Sequence, residues 1–154
     1  GEKAMLVFDI DRFKAINDSH GHLVGDEVIV KVARMLTTVF GDRCVCARIG
    51  GEEFAVFSRD MAFAEFAVLG ESARRSVAAM QINAGDLCFS VTVSGGLTRA
   101  LPGQDFGEVF SRADKSLYLA KTSGRNRIVI YSGTEPGTAP HSSGASETPS
   151  SAVA

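Results

Sequence analysis

Residues 44 to 57 read Cys-Val-Cys-Ala-Arg-Ile-Gly-Gly-Glu-Glu-Phe-Ala-Val-Phe, two apolar strand-like runs joined through Gly50 and Gly51. A glycine pair between such runs predicts a tight β-hairpin, because glycine enters positive φ without a Cβ clash. The chain is thereby committed to antiparallel strands near its middle. The two residues after the glycines are not turn chemistry. Glu52 and Glu53 are adjacent carboxylates that repel each other at the mouth of the hairpin, and the bare glycines leave the backbone open to a bulky anion. A cation and a phosphate are the ligands this pattern fits.

The other elements are set by periodicity. Ala4 to Ile10 is almost continuously apolar, as in a strand covered on both faces. A short helical turn over Arg12 to Ile16 and a polar loop over Asn17 to His22 come next. Val24 to Phe40 carries an apolar stripe at helical spacing, as do Ala62 to Met80 and Phe106 to Lys121, with Gly124 as a helix stop. Cys88 to Leu97 alternates as a strand, and Arg127 to Tyr131 is the last one. The β-α-α-β-β-α-β-α-β order contains βαββαβ. It predicts an α+β fold with a mostly antiparallel sheet flanked by helices.

With 154 residues, 45% of them hydrophobic, the chain can bury one sizeable core. Residues 1–131 are expected to form that domain. Residues 132–154, rich in Ser, Gly, Thr, Pro and Ala, lack periodicity and are expected to be a disordered tail. A formal charge of −2 gives no basic field for a nucleic-acid polymer or a membrane surface. No apolar run approaches the roughly 20 residues that span a bilayer, and no signal peptide precedes the first strand, so a cytoplasmic domain is expected, whether or not the parent protein is anchored in a membrane. Cys44 and Cys46 alternate on one strand and cannot easily bridge, so with Cys88 they read as reduced thiols.

Several residues have both a structural and a chemical use. Asp9 and Asp11 close a buried strand, where they either cap the next helix or supply carboxylates. If the hairpin neighbours that strand, Asp9 and Glu52 with a main-chain carbonyl make the hard-oxygen site that Mg²⁺ prefers. Lys121 and Arg125 either complement a helix C-terminus or clamp phosphate oxygens. Lys14 is a further candidate cation. Asn17 and Asp26 either serve loop and cap chemistry or read the edge of a guanine. For His20 and His22, with no third nitrogen or sulfur ligand near in sequence, a loop-fixing role is favoured over a metal pair.

Four motifs stand in order: Phe8-Asp-Ile-Asp-Arg-Phe-Lys-Ala-Ile-Asn-Asp18, Gly21-His-Leu-Val-Gly-Asp26, Arg48-Ile-Gly-Gly-Glu-Glu-Phe54 and Ala113-Asp-Lys-Ser-Leu-Tyr-Leu-Ala-Lys-Thr-Ser-Gly-Arg-Asn-Arg127. Together they resemble the GGDEF family of diguanylate cyclases, in its GGEEF form, from Met5 to about Val129. The resemblance implies a palm-type, ferredoxin-like fold that condenses two GTP into cyclic di-GMP and pyrophosphate. It implies Mg²⁺ or Mn²⁺ on Asp9, Glu52 and the Ile10 carbonyl, and guanine on Asn17 and Asp26. It further implies close passage of the nucleotide by Gly50 and Gly51, β- and γ-phosphates on Lys121 and Arg125, charge stabilisation by Lys14, and activation of the 3′-hydroxyl by Glu53.

Each domain would hold one GTP, so turnover requires a second copy of the same domain. The resemblance also implies a longer bacterial signalling protein, because the family's N-terminal lead and its sensory or receiver part are absent here. The family's product-inhibition motif, Arg-x-x-Asp, is replaced by Gly41-Asp-Arg-Cys44, leaving Arg43 and Arg74 as weak candidates for product binding. The rival reading is a catalytically silent module that binds GTP or cyclic di-GMP, or dimerises. A mixed dinucleotide product is a third, against which Asp26 argues.

Overall fold

The computed structural model describes residues 2–133, so the expected tail lies, after Ser132 and Gly133, outside the described residues. The architecture is set by the period of the first strand, β1 (Lys3–Ile10). Ala4, Leu6, Phe8 and Ile10 enter one apolar core, while Met5 and Val7 enter a second on the opposite face. A strand apolar on both faces must be central. Strands β2 (Cys44–Arg48), β3 (Glu53–Ser58), β6 (Val93–Ala100) and β7 (Ile128–Ile130) complete a sheet of order β2-β3-β1-β6-β7. Only the β6–β7 pair is parallel. The expected α+β, βαββαβ arrangement is the one observed.

Helices α1 (Phe13–His20), α2 (His22–Phe40) and α3 (Phe63–Ala79) precede α4 (Phe106–Thr122). The larger core is filled by α2, through Val28, Ile29, Val32, Leu36 and Phe40, and by α3, through Phe66, Ala73 and Val77. Alone on the other face, α4 buries Val109, Ala113, Leu117 and Ala120 at helical spacing. Its start is fixed by a capping box: Glu108 N–H donates to Asp105 Oδ1 at 2.8 Å, and Asp105 N–H to Glu108 Oε2 at 2.9 Å. Gly96 brings the helix down onto β6, for a Cβ there would stand 1.9 Å from the Ala113 carbonyl oxygen.

Three local expectations are corrected. The first helix runs two turns, to His20, and only Gly21 separates it from α2. His20 stacks on Phe89, with ring centroids 4.6 Å apart, which fixes the helix end against the following hairpin. The strand expected over Cys88 to Leu97 is broken: β4 (Ile82–Ala84) and β5 (Leu87–Phe89) form a separate hairpin about Gly85 and Asp86, and the main sheet resumes at Val93. The alternation runs unbroken through the break, so periodicity conceals it. Finally, Gly50 and Gly51 are not among the described residues with positive φ, and the connection is longer than a two-residue turn. All three cysteines are free. Burial pushes the Cys46 thiol up to about 11, with Cys44 adding to the effect. Among the described residues, no helix is long and apolar enough to cross a membrane.

Candidate active site

Strand parity builds the centre of the site. Asp9 continues the Met5–Val7 series, and Glu53 continues the series of Ala55 and Phe57, so both point to the side covered by α4. The two are Cα partners across the β1–β3 ladder. Hairpin and strand end are also joined by Ile10 N–H, which donates to the Glu52 carbonyl at 3.1 Å. From the last turn of α4, Lys121 Nζ reaches Asp9 Oδ2 at 2.8 Å. Burial holds the Glu53 carboxyl above its ordinary range. The charges of Asp9 and Asp114 push it the same way, and Lys121 pulls it back.

That surplus of negative charge suits a divalent cation. Among the described residues, no three or more His, Cys, Asp or Glu side chains converge as metal ligands. An ion held here therefore completes its shell from main-chain carbonyl, water and phosphate oxygens, the manner in which Mg²⁺ usually binds. Of the two hairpin acids, Glu53 is the one placed against Asp9. Glu52 lies beyond the paired strand, at the end of the turn.

The hairpin tip is held from within. The Arg48 guanidinium donates to the Gly50 carbonyl at 3.1 Å and to the Gly51 carbonyl at 2.8 Å. A Cβ at Gly51 would meet nothing within 4 Å, and one at Gly50 would meet the Glu53 side chain at 3.2 Å. Nothing inside the fold therefore requires glycine at position 51. Its bare backbone faces open space, as close approach by a ligand demands.

At the other side, α1 and α2 are pressed together at Gly25, where a Cβ would lie 1.8 Å from Asn17 Oδ1 and 3.2 Å from the Phe13 ring. Asn17 Oδ1 is buried with no hydrogen-bond partner. An orphaned acceptor of this kind costs about 1–3 kcal/mol unless something bonds to it. Asp26, exposed, comes directly after Gly25 on α2. Lys14 stands apart on the solvent face of α1, paired with Asp18 at 3.0 Å with both side chains largely exposed.

Arg125 comes after α4 on an unusual backbone. Gly124, Arg125 and Asn126 have φ of 127°, 63° and 48°. Arg125 N–H closes the helix end on the Ala120 carbonyl at 3.0 Å, with Gly124 in the usual glycine position. Two consecutive left-handed residues with side chains cost about 1–3 kcal/mol each unless their surroundings hold them. The holding group escaped sequence reasoning. Asp11 does not cap α1, whose N-cap is Arg12 without a side-chain bond. Instead its carboxylate accepts from Thr92, Ser94 and the Asn126 N–H. Asp114 also escaped it. Neither of the arginines considered for product binding stands alone: Arg43 pairs with Glu65 at 2.5 Å, and Arg74 bonds Glu71 and Asn126.

Known proteins resemble this chain over most of its length. The family model described as "Diguanylate cyclase, GGDEF domain" matches residues 2–127. Diguanylate cyclase VdcA of Vibrio cholerae is 36% identical over 129 residues, covering 82% of this chain and 38% of the relative. Diguanylate cyclase DgcP of Pseudomonas aeruginosa is 40% identical over 131 residues, covering 84% of this chain and 19% of the relative. The chain thus spans well under half the length of these relatives. Among solved structures, the GGDEF domain of DgcB from Caulobacter crescentus in complex with c-di-GMP superposes with a TM-score of 0.79 at 36% identity, covering 84% of this chain and 78% of that one. The active GGEEF domain of a Vibrio cholerae diguanylate cyclase gives 0.78 at 33% identity, covering 84% and 83%. This chain belongs to the GGDEF-domain family of diguanylate cyclases.

Proposed function

We propose that this domain condenses two molecules of GTP into cyclic di-GMP, as the output part of a longer bacterial signalling protein. One observation carries the reading: Asp9, Glu53 and Lys121 meet where β1, the hairpin and α4 end, beside the open backbone of Gly51. The reaction needs anionic oxygens for a metal, cations for a triphosphate, and room for a nucleotide between them. Asp9 and Glu53 supply the oxygens, Lys121 a cation, and the open backbone of Gly51 an approach for the nucleotide.

The 3′-oxygen of one GTP attacks the α-phosphorus of the other, a P–O bond forms as the bond to pyrophosphate breaks, and the hydroxyl proton passes to a hairpin carboxylate or to water. A second such step closes the ring. Asp9 and the Ile10 carbonyl would hold a divalent ion, and the strand register favours Glu53 over Glu52 as its second carboxylate. In this reading the expected roles of the hairpin acids exchange, and Glu52, nearer the tip, takes the part expected of Glu53 beside the 3′-hydroxyl. When bound, magnesium or manganese supplies charge neutralisation on the phosphates and polarises the reacting oxygens. Lys121 and Arg125 bind the β- and γ-phosphates and so stabilise the departing pyrophosphate. Asn17 and Asp26 hold guanine, with Asn17 placed where α1 and α2 are pressed together at Gly25. Lys14, exposed on α1, contributes charge without touching the central cluster.

One site binds one GTP, so its nucleophile must come from a second copy related by a two-fold axis. The parent's sensory or receiver part would govern that encounter, in the cytoplasm where GTP is found. Incubation with GTP and Mg²⁺ at high protein concentration, with chromatography of the products, tests the reading. Cyclic di-GMP from the wild-type protein and none from Asp9→Asn is the expected result. No dinucleotide even from a forcibly dimerised domain would favour the silent GTP- or cyclic di-GMP-binding module.

A further inference from the structure

We propose that Asp11 is a positioning residue for the phosphate clamp, acting on Arg125 through the left-handed turn that carries it. The inference rests on the reading of Arg125 as a phosphate ligand.

Asp11 is 5% exposed, and its carboxylate is occupied from three directions. Oδ1 accepts from Ser94 Oγ at 2.7 Å. Oδ2 accepts from Thr92 Oγ1 at 2.6 Å and from the Asn126 N–H at 3.0 Å. The Asn126 N–H is shared with Ser94 Oγ at 3.1 Å. A buried carboxylate bonded in this way is a fixed anchor, not a group free to meet substrate. It anchors the residue directly after Arg125.

A second brace comes from α3. Arg74 Nη1 donates to Asn126 Oδ1 at 2.7 Å, and the same guanidinium is held by Glu71, with Nε to Oε1 at 2.8 Å. Asn126 is thus gripped at its backbone by Asp11 and at its side chain by Arg74. Between that grip and the end of α4, Arg125 has a single backbone course, held at a left-handed φ of 63° that few residues with a side chain adopt. A guanidinium fork binds phosphate well only when its approach is fixed, so the anchor sets the affinity of the clamp.

The test is equilibrium binding of 3′-deoxy-GTP, which lacks the nucleophile and so binds without turnover, alongside GMP, which lacks the clamped phosphates. Asp11→Asn should weaken 3′-deoxy-GTP about tenfold, since one charge-assisted phosphate contact is lost or misaligned, and leave GMP unchanged. Ser94→Ala, a milder loosening of the same anchor, should weaken 3′-deoxy-GTP about threefold, again sparing GMP. Combined with Arg125→Ala, either change should add nothing further. Equal weakening of both nucleotides, or a penalty that persists without Arg125, would overturn the proposal while leaving the clamp intact. If Arg125→Ala alone leaves 3′-deoxy-GTP binding unchanged, the clamp reading fails, and the positioning role with it.

Discussion

Asp9 and Lys121 meet at 2.8 Å, the carboxylate side chain 5% exposed and the lysine 35%. The pair joins the end of the central strand to the end of the last helix, and so ties the proposed metal side of the site to the proposed phosphate side. Lys121 neutralises Asp9 from the direction in which a divalent cation would compete with it. Replacing Lys121 with Met should therefore have two effects of opposite sign. Affinity for GTP should fall about tenfold through loss of a charged phosphate contact. Binding of Mg²⁺ without nucleotide should tighten, because Asp9 is left unopposed. Thermal shift against Mg²⁺, and nucleotide titration, read the two separately.

Glu53 gives a pH dependence with a definite sign. Its folded-state pKa is raised, first by burial and then by Asp9 and Asp114. A carboxyl with a raised folded pKa binds more protons folded than unfolded, so stability falls as pH rises from the ordinary carboxylate value through the raised one. A cation beside Glu53 offsets that loss. Stabilisation by Mg²⁺ should therefore be greater at neutral pH than in mild acid. Glu53→Gln should stabilise the metal-free protein and sharply reduce the Mg²⁺ response. A Glu53→Gln variant with an undiminished Mg²⁺ shift would return the metal role to Glu52.

Much of this was legible in the residues. Apolar patterning marked the first strand and the hairpin as strands, while their adjacency stood only as a condition of the expected metal site. The order of the two hairpin acids was harder. It depends on the register Asp9↔Glu53, which no local pattern states. Asp11 was hidden for a related reason. Its partners Ser94 and Asn126 lie 83 and 115 residues away in sequence, while an Asp-x-Asp before a helix resembles a cap. The break before β6 was hidden by alternation that runs through it. Its signal was Gly85-Asp86, a two-residue hairpin connection between short strands.

Gly25 is predicted to act on guanine recognition. Replacing it with Ala would put a methyl group 1.8 Å from the present position of Asn17 Oδ1. The amide must move, or α1 must shift from α2. Loss of a well-placed polar contact to the base should weaken GTP binding about tenfold or more and reduce discrimination against ATP. Competition between the two nucleotides measures it; unchanged selectivity would remove Asn17 from the base site.

Gly96 is predicted to act on stability, away from the reacting atoms. A Cβ there would lie 1.9 Å from the Ala113 carbonyl and 2.4 Å from the Leu117 nitrogen, both rigid helix backbone. Gly96→Ala should therefore cost about 1–3 kcal/mol or more by lifting α4 from the sheet. Denaturant unfolding gives the number. Since α4 carries Lys121, the variant should also bind GTP more weakly.

If the proposed site holds one GTP beside Asp9 and Glu53, it cannot complete a cyclic dinucleotide alone. The most direct measurement is the initial rate of cyclic di-GMP formation per subunit, with GTP and Mg²⁺ saturating, across a wide range of protein concentration. The predicted result is a rate per subunit that rises with concentration and levels off once the dimer is filled. A rate per subunit independent of concentration, with the protein monomeric throughout, would contradict it.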